Sequence, residues 1–288
     1  LRQLRPTLSI AGVVAIFSGT PKHPIGDDGR MALSDHLREL RARVIKASLA
    51  LVVGFVVALF FFEQLFDLVM DPYLQAVKMM DQEGGAASLS SVNGAAGGFM
   101  LYLKLCGLAA FIGTAPIWLY QIWAFLMPGL HPHEKKMSRI FVAVAGPLFL
   151  LGVLLGYLTL PKGLEILFAF VPDGLTNIVE FSEYLSFLSR TLLVFGIAFE
   201  IPVFVILLNR IGVLPGAALG KYRAWIIVGS FVFAAVATPS GDPFTMTIMA
   251  GPMVVLFGIS EVIARAHDKR KASKRKDMIG DPDVPSVI

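Results

Sequence analysis

Long apolar runs constrain this chain more than any other feature of it. A helix crosses a bilayer with about 20 apolar residues, and such stretches lie near 44–66, 99–126, 140–160, 185–208 and 244–263, with a shorter one near 224–237. The short run covers only about 21 Å at 1.5 Å per residue, against a hydrocarbon layer of about 30 Å. Its helix must thin the bilayer or shelter among neighbours. Only "TPSGDP", Thr238–Pro243, separates it from the last run. The two therefore form a tight helical hairpin, turned by Gly241 and two prolines. The chain is 56% hydrophobic and 16% charged, where soluble domains carry roughly 25% charged residues. A water-soluble core cannot hide so many apolar side chains. The expected fold class is all-α, a polytopic membrane protein with six transmembrane helices.

Basic residues set the expected orientation. Arg30, Arg38, Arg41 and Arg43 precede the first span, and Lys135, Lys136 and Arg139 lie between the second and third. Arg210, Lys221 and Arg223 lie between the fourth and fifth, and "RAHDKRKASKRK" follows the sixth. The alternate loops carry Asp67, Asp71, Asp81 and Glu83, then Glu165, Asp173, Glu180 and Glu183. This predicts a multi-pass protein of the bacterial plasma membrane with both termini in the cytoplasm. It also predicts a long outer loop over 67–98, flexible or turn-rich at its "GGAASLSSVNGAAGG" end. Three regions are expected: a poorly ordered extension over 1–32, a six-helix domain over 33–264, and a disordered basic tail over 265–288. The run "LSIAGVVAIF" in the extension is too short to span. No small-x-small cleavage site follows it, and we read the segment as an extension upstream of a natural start at Met31.

Several stretches carry chemistry. In "SDHLRELRARVIKASLA", Ser34 can cap a helix with Asp35 in its first turn. Glu39 and Arg43 are four apart and can simply pair on that helix. Alternatively, an interfacial helix presents Glu39 to a cationic ligand. In "PIWLYQIWAFLMPGLHPHEKK", Trp118, Tyr120, Trp123 and Phe125 make an aromatic belt, and Pro128-Gly129 ends the helix before Glu134. His131 and His133 have no third ligand nearby, so no metal site is expected. In "FGIAFEIPVFVILLNR", an ionised Glu200 in mid-membrane costs roughly 3 kcal/mol on insertion scales. Pro202 frees the carbonyl of Ala198, and Gly196 permits close approach or bending. Glu200 either makes an interhelical hydrogen bond in its protonated form or faces a functional groove. In the hairpin, Thr238 supplies a hydroxyl at the thin end and Asp242 is placed to cap the last helix.

Some classes are excluded. No Walker loop, H-E-x-x-H or G-x-S-x-G occurs, and no Ser/His pair lies at membrane depth. No catalytic residue, cofactor or metal is expected. The single cysteine, Cys106, precludes an internal disulfide and reads as a small core residue. The basic tail fits attraction to anionic membrane lipid rather than to nucleic acid. A secondary transporter using Glu200 as its ion site is the main rival, but no internal repeat supports it.

Taken together and in order, "HLRELRAR", "DPYL", "FMLYLKL", "APIWLYQIWAFLMPGLHPHEKK", "FGIAFEIPV" and "TPSGDPF" resemble the TatC family, the receptor subunit of the twin-arginine protein translocase. The resemblance covers Leu33 to about Lys271. It implies a concave six-helix bundle that binds twin-arginine signal peptides of folded precursors and is driven by the proton-motive force. It implies TatA-like and TatB-like single-span partners in a hetero-oligomer of several copies. By motif position, Glu39, Arg41, Glu134 and Phe125 are expected to bind the signal peptide. Glu200, Pro72, Thr238 and Asp242 are expected on the groove or partner-helix surface. Met246 stands where many members of the family have glutamine, and the outer turn has "SGD" where many have a shorter "PD".

Overall fold

The computed structural model describes residues 33–82, 88–91, 94, 96–126, 135–171, 177–210, 212–237 and 243–279. The helices are α1 (Leu33–Phe60), α2 (Phe62–Gln82), α3 (Gly97–Gly113), α4 (Ala115–Leu126), α5 (Lys135–Phe168), α6 (Phe181–Arg210), α7 (Gly216–Lys221), α8 (Arg223–Ala237) and α9 (Pro243–Ile279). Two short strands, β1 (Ser88–Ser91) and β2 (Asn177–Glu180), pair in parallel, with Ser88 opposite Asn177 and Ser91 opposite Glu180. The chain divides into two compact units, residues 1–68 with 95–150 and residues 69–94 with 151–288.

Among the described residues, four helical stretches are long and apolar enough to cross a bilayer: His36–Phe60, Ala143–Phe168, Phe181–Arg210 and Met246–Ser273. The pair Gly97–Gly113 and Ala115–Phe125 makes a fifth crossing, bent by 56°. A shorter apolar helix, Arg223–Val236, lies where the short run was expected. The apolar side of α1 stays open, with Val52 60% and Phe60 80% exposed. Such a surface suits hydrocarbon and not water. The protein is an all-α polytopic membrane protein.

In the first unit, two expected spans are corrected. The span predicted over 44–66 stops at Phe60. Tyr102 explains the break: its hydroxyl donates to the Leu59 carbonyl at 2.9 Å and its ring stacks on Phe62 at 4.0 Å. The run over 99–126 is two helices, not one. The Thr114 hydroxyl donates back to the Ala110 carbonyl at 2.8 Å, a bond that tends to bend helices. Pro116 has no N–H to continue the ladder. The Trp118 indole N–H donates to the Phe111 carbonyl at 2.9 Å, satisfying a group the bend exposes. Other elements close on this joint. A Cβ on Gly54 of α1 would lie 2.6 Å from Thr114 Cγ2, and one on Gly146 of α5 would lie 3.1 Å from Pro116 Cα.

In the second unit, the long outer loop expected over 67–98 is corrected in its first part, which is helical to Gln82. Val69, Pro72, Tyr73 and Ala76 are buried, a helical spacing that continues α2 to Gln82. The Tyr184 hydroxyl donates to the Val69 carbonyl at 2.6 Å. The Tyr73 ring meets Phe168 edge-on at 6.0 Å and lies 5.6 Å from that of Tyr184. Helices α5 and α6 cross where Gly152 and Gly156 meet Phe195 and Gly196. Small residues four apart let transmembrane backbones approach closely. Val205, Leu219, Phe257 and Ala264 form a core that ties α6, α7 and α9 together, with Ile226 of α8 packed on it. Helix α9 continues to Ile279, so residues 265–279, expected as disordered tail, are helical. Cys106 is fully buried, as its apolar setting predicts.

Candidate functional site

The amino-terminal turns of α1 carry the motif "HLRELRAR". Their helical phase puts Glu39 and Arg43 on one side, and the two do pair. Arg43 Nε donates to Glu39 Oε1 at 2.9 Å and the Arg43 Nη2 contact goes to the same oxygen. The second carboxylate oxygen, Oε2, is therefore not engaged by Arg43. The pair is partly shielded, with side-chain exposures of 15% for Glu39 and 22% for Arg43. Arg41 lies exposed on the same helix, and Ala42 faces inward.

One turn before Glu39, His36 stacks on Phe125 of α4, ring centroids 4.4 Å apart and planes inclined by 15°. Glu39 follows His36 by three residues, so the two share a helix face. Phe125 and the acid of α1 thus lie at one end of the first unit. Trp123, two residues before Phe125, is buried and anchors that end of α4. Glu134, the second expected acid, lies outside the described residues, as do Thr238 and Asp242.

In the second unit, Glu200 sits on the one open stripe of α6. Ile197 is 53% and Phe204 47% exposed, and these lie three residues before and four after the acid. Glu200 itself is half-buried, while Phe195, Gly196, Ala198, Phe199, Pro202 and Val203 around it on the chain are buried. The acid therefore borders the apolar surface that α6 leaves open, with its Oε1 turned in and buried. Gly196, one turn earlier, is where Gly152 passes, so the expected close approach is realised there. Pro72 does not share such an open surface. Its side chain is fully buried, beside the Tyr73–Tyr184 cluster.

A second carboxylate in a spanning helix escaped the sequence reading. Glu261 of α9 is buried, its side chain 4% exposed. Its Oε1 accepts from Arg223 Nη2 at 2.8 Å, its Oε2 accepts from Arg223 Nε at 3.1 Å, and Arg265 Nη2 lies 2.8 Å from Oε1. The Glu261–Arg265 spacing of four was legible. The link to Arg223, 38 residues away, was not. Among the described residues no group of three His, Cys, Asp or Glu side chains could hold a metal ion.

Residues 35–252 match the family model described as "Sec-independent protein translocase protein (TatC)". The chain is 41% identical over 252 residues to the Sec-independent protein translocase protein TatC of Frankia casuarinae, covering 86% of this chain and 69% of that one. The corresponding protein of Corynebacterium kroppenstedtii is 34% identical over 268 residues, covering 85% of this chain and 64% of that one. The chain thus spans about two thirds of the length of these two relatives. A crystal structure of the twin-arginine translocase receptor TatC superposes with a TM-score of 0.67 at 31% identity, covering 80% of this chain and 98% of that one. On the extent of the family match and the level of identity, this chain belongs to the TatC family of Sec-independent protein translocase proteins.

Proposed function

We propose that the chain is the signal-peptide receptor and core subunit of a translocase that exports folded proteins under the proton-motive force. In this reading, Glu39 and Glu134 accept the two guanidiniums of a twin-arginine signal peptide. Phe125 packs against the peptide beside Glu39, and Arg41 shapes the charge around it. The observation that carries this is the His36–Phe125 stack, which draws the aromatic residue to the turn that holds Glu39. The chemistry suits the assignment. Guanidinium and carboxylate match in planar fork geometry, and the Oε2 of Glu39 is not taken by Arg43. A charge-assisted bond contributes about 1.5–3 kcal/mol, so two supply a useful part of the roughly 8.2 kcal/mol of micromolar binding. The apolar part of the signal peptide supplies the rest.

TatA-like and TatB-like single-span helices dock on the open α6 stripe at Glu200, with Thr238 and Asp242 of the hairpin turn adding polar contacts. Both termini lie on the cytoplasmic side of the plasma membrane, where the precursor arrives, and several copies join a hetero-oligomer. The function is binding and transport, without covalent catalysis.

Site-specific crosslinking from positions 39 and 134 to a twin-arginine precursor tests the receptor reading, with a twin-lysine precursor as control. Adducts with the arginine pair and few with the lysine pair are expected, and Glu39→Ala or Glu134→Ala should weaken capture. Undiminished capture in both variants would count against the assignment.

A further inference from the structure

The buried Glu261 does more than join two helices. It holds two guanidiniums side by side, and both remain at the surface: Arg223 is 60% and Arg265 53% exposed in its side chain. Their bonds to Glu261 use only part of the N–H complement of either group. The backbone is shaped to allow this. A Cβ on Gly216 of α7 would lie 2.7 Å from the Arg265 backbone nitrogen, and one on Gly220 would lie 1.7 Å from Arg265 Nη2. Glycine at 216 lets α7 lie flat on the α9 backbone, and the bare Gly220 leaves room for the Arg265 head over it. Asp268, one turn further along α9, fixes the same seam. It accepts from the Gly216 N–H at 2.7 Å and from Asn209 Nδ2 at 2.9 Å.

Glu261 and Asp268 together balance the two guanidiniums, and exposed Lys221 leaves one net positive charge, its Nζ 5.7 Å from the Tyr222 ring centroid. Directly beyond Arg223, α8 presents an exposed stripe of Trp225, Val228, Val232 and Val236. From Trp225 to Val236 the helix rises about 17 Å, close to half of the roughly 30 Å hydrocarbon layer. Exposed Tyr222 and Trp225 at its head match the aromatic residues found at headgroup level. A fixed cationic fork at the head of a one-leaflet apolar stripe is complementary to a phosphate diester carrying acyl chains.

We propose that Arg223 and Arg265, set by Glu261, bind the headgroup phosphate of one anionic phospholipid whose acyl chain lies along α8. The guanidiniums chelate the phosphate oxygens, and Lys221 disfavours a zwitterionic headgroup bearing its own ammonium. The site is separate from the diffuse attraction of the basic end of α9, and it does not depend on the signal-peptide assignment.

Native mass spectrometry of the full chain in detergent tests this, with phosphatidylglycerol and phosphatidylcholine of identical chains as probes. One phosphatidylglycerol adduct is expected, bound roughly tenfold more tightly than phosphatidylcholine, as for one charge-assisted contact. Arg223→Gln with Arg265→Gln strands a buried carboxylate and risks misfolding. The decisive variant is therefore Arg223→Gln/Glu261→Gln/Arg265→Gln, which removes all three charges and should abolish the preference. Arg265→Lys should keep part of it. Lys269→Gln/Arg270→Gln/Lys271→Gln should keep all of it. Equal binding of the two lipids, survival of the preference in the first triple variant, or its loss in the second would overturn the site. Displacement by equimolar glycerol 3-phosphate would overturn the lipid as its ligand.

Discussion

The crossing of α5 and α6 gives a sharp test of the packing. Replacing Gly152 by alanine adds one methyl group where none fits. The new Cβ would lie 2.5 Å from the Phe195 carbonyl oxygen, 2.9 Å from Phe199 Cγ and 3.0 Å from Gly196 Cα. Ordinary contact begins at 3.4 Å. The helices must therefore part by about 0.9 Å at this point, and two of the three obstacles are backbone. Overpacking of this kind costs about 1–3 kcal/mol, or roughly 4–8 °C of melting temperature for about 2 kcal/mol in a chain of this size. Gly196 is one turn from Glu200, so the displacement also moves the open stripe of α6, and export of a twin-arginine precursor should fall. Gly156→Ala should be milder, because its Cβ meets only the Phe195 side chain, at 3.1 Å and beyond. Gly107→Ala in α3 and Gly251→Ala in α9, with nothing within 4 Å, serve as controls. They should melt no lower than the unchanged protein, since alanine favours helix over glycine. Fluorimetric melting in detergent and an export assay give the readouts. If Gly152→Ala matches these controls in both, the close crossing is not what holds α6 in place.

Other perturbations are similarly direct. Gly220→Ala puts a methyl group on Arg265 Nη2 and should free Arg265 from Glu261. A flexible head group can swing aside, so the expected loss is only about 1 kcal/mol, read as a small drop in melting temperature, and a loss as large as that of Glu261→Ala would contradict this. Tyr184→Phe removes the donor to the Val69 carbonyl and should cost about 1–2 kcal/mol, whereas an unchanged melting point would show that the carbonyl finds another partner. Glu200→Gln should retain part of the export activity if hydrogen bonding matters, while Glu200→Ala should lose it, and equal export in all three proteins would refute a role for the acid.

What could be read in advance divides along physical lines. Hydrophobic length is a property of a segment alone, so the apolar runs were legible, though not the breaks within them. The i,i+4 pairing of Glu39 with Arg43 was legible for the same reason. The break at Phe60 was not, because it depends on a distant side chain, Tyr102, that takes the Leu59 carbonyl, and the bend at Thr114 rests on polar bonds that hydrophobic length does not register. The helical course of α2 past Asp67 was hidden by its charges. Asp67 and Asp71 are exposed, and the alternation with buried Val69, Pro72 and Tyr73 outweighs them. The role of Glu261 is not legible in the sequence because one of its two partners, Arg223, comes from another helix 38 residues away. Glu200 was conspicuous because no basic residue stands near it in the sequence. The stack of His36 on Phe125 links residues far apart in the chain and had no local signal.

The 56° joint at Thr114 has a consequence for biogenesis. Helix α3 has 17 residues and α4 has 12, about 25 Å and 18 Å long at 1.5 Å per residue. Neither alone reaches across roughly 30 Å of hydrocarbon, so the insertion machinery must admit both as a single segment. Thr114 and Pro116 favour a bend locally, and the packing of Gly54 and Gly146 against them comes from segments synthesised before and after it. The full packing of the second crossing therefore waits on the third, and a ribosome stalled before α5 emerges would leave this bent pair without its Gly146 contact.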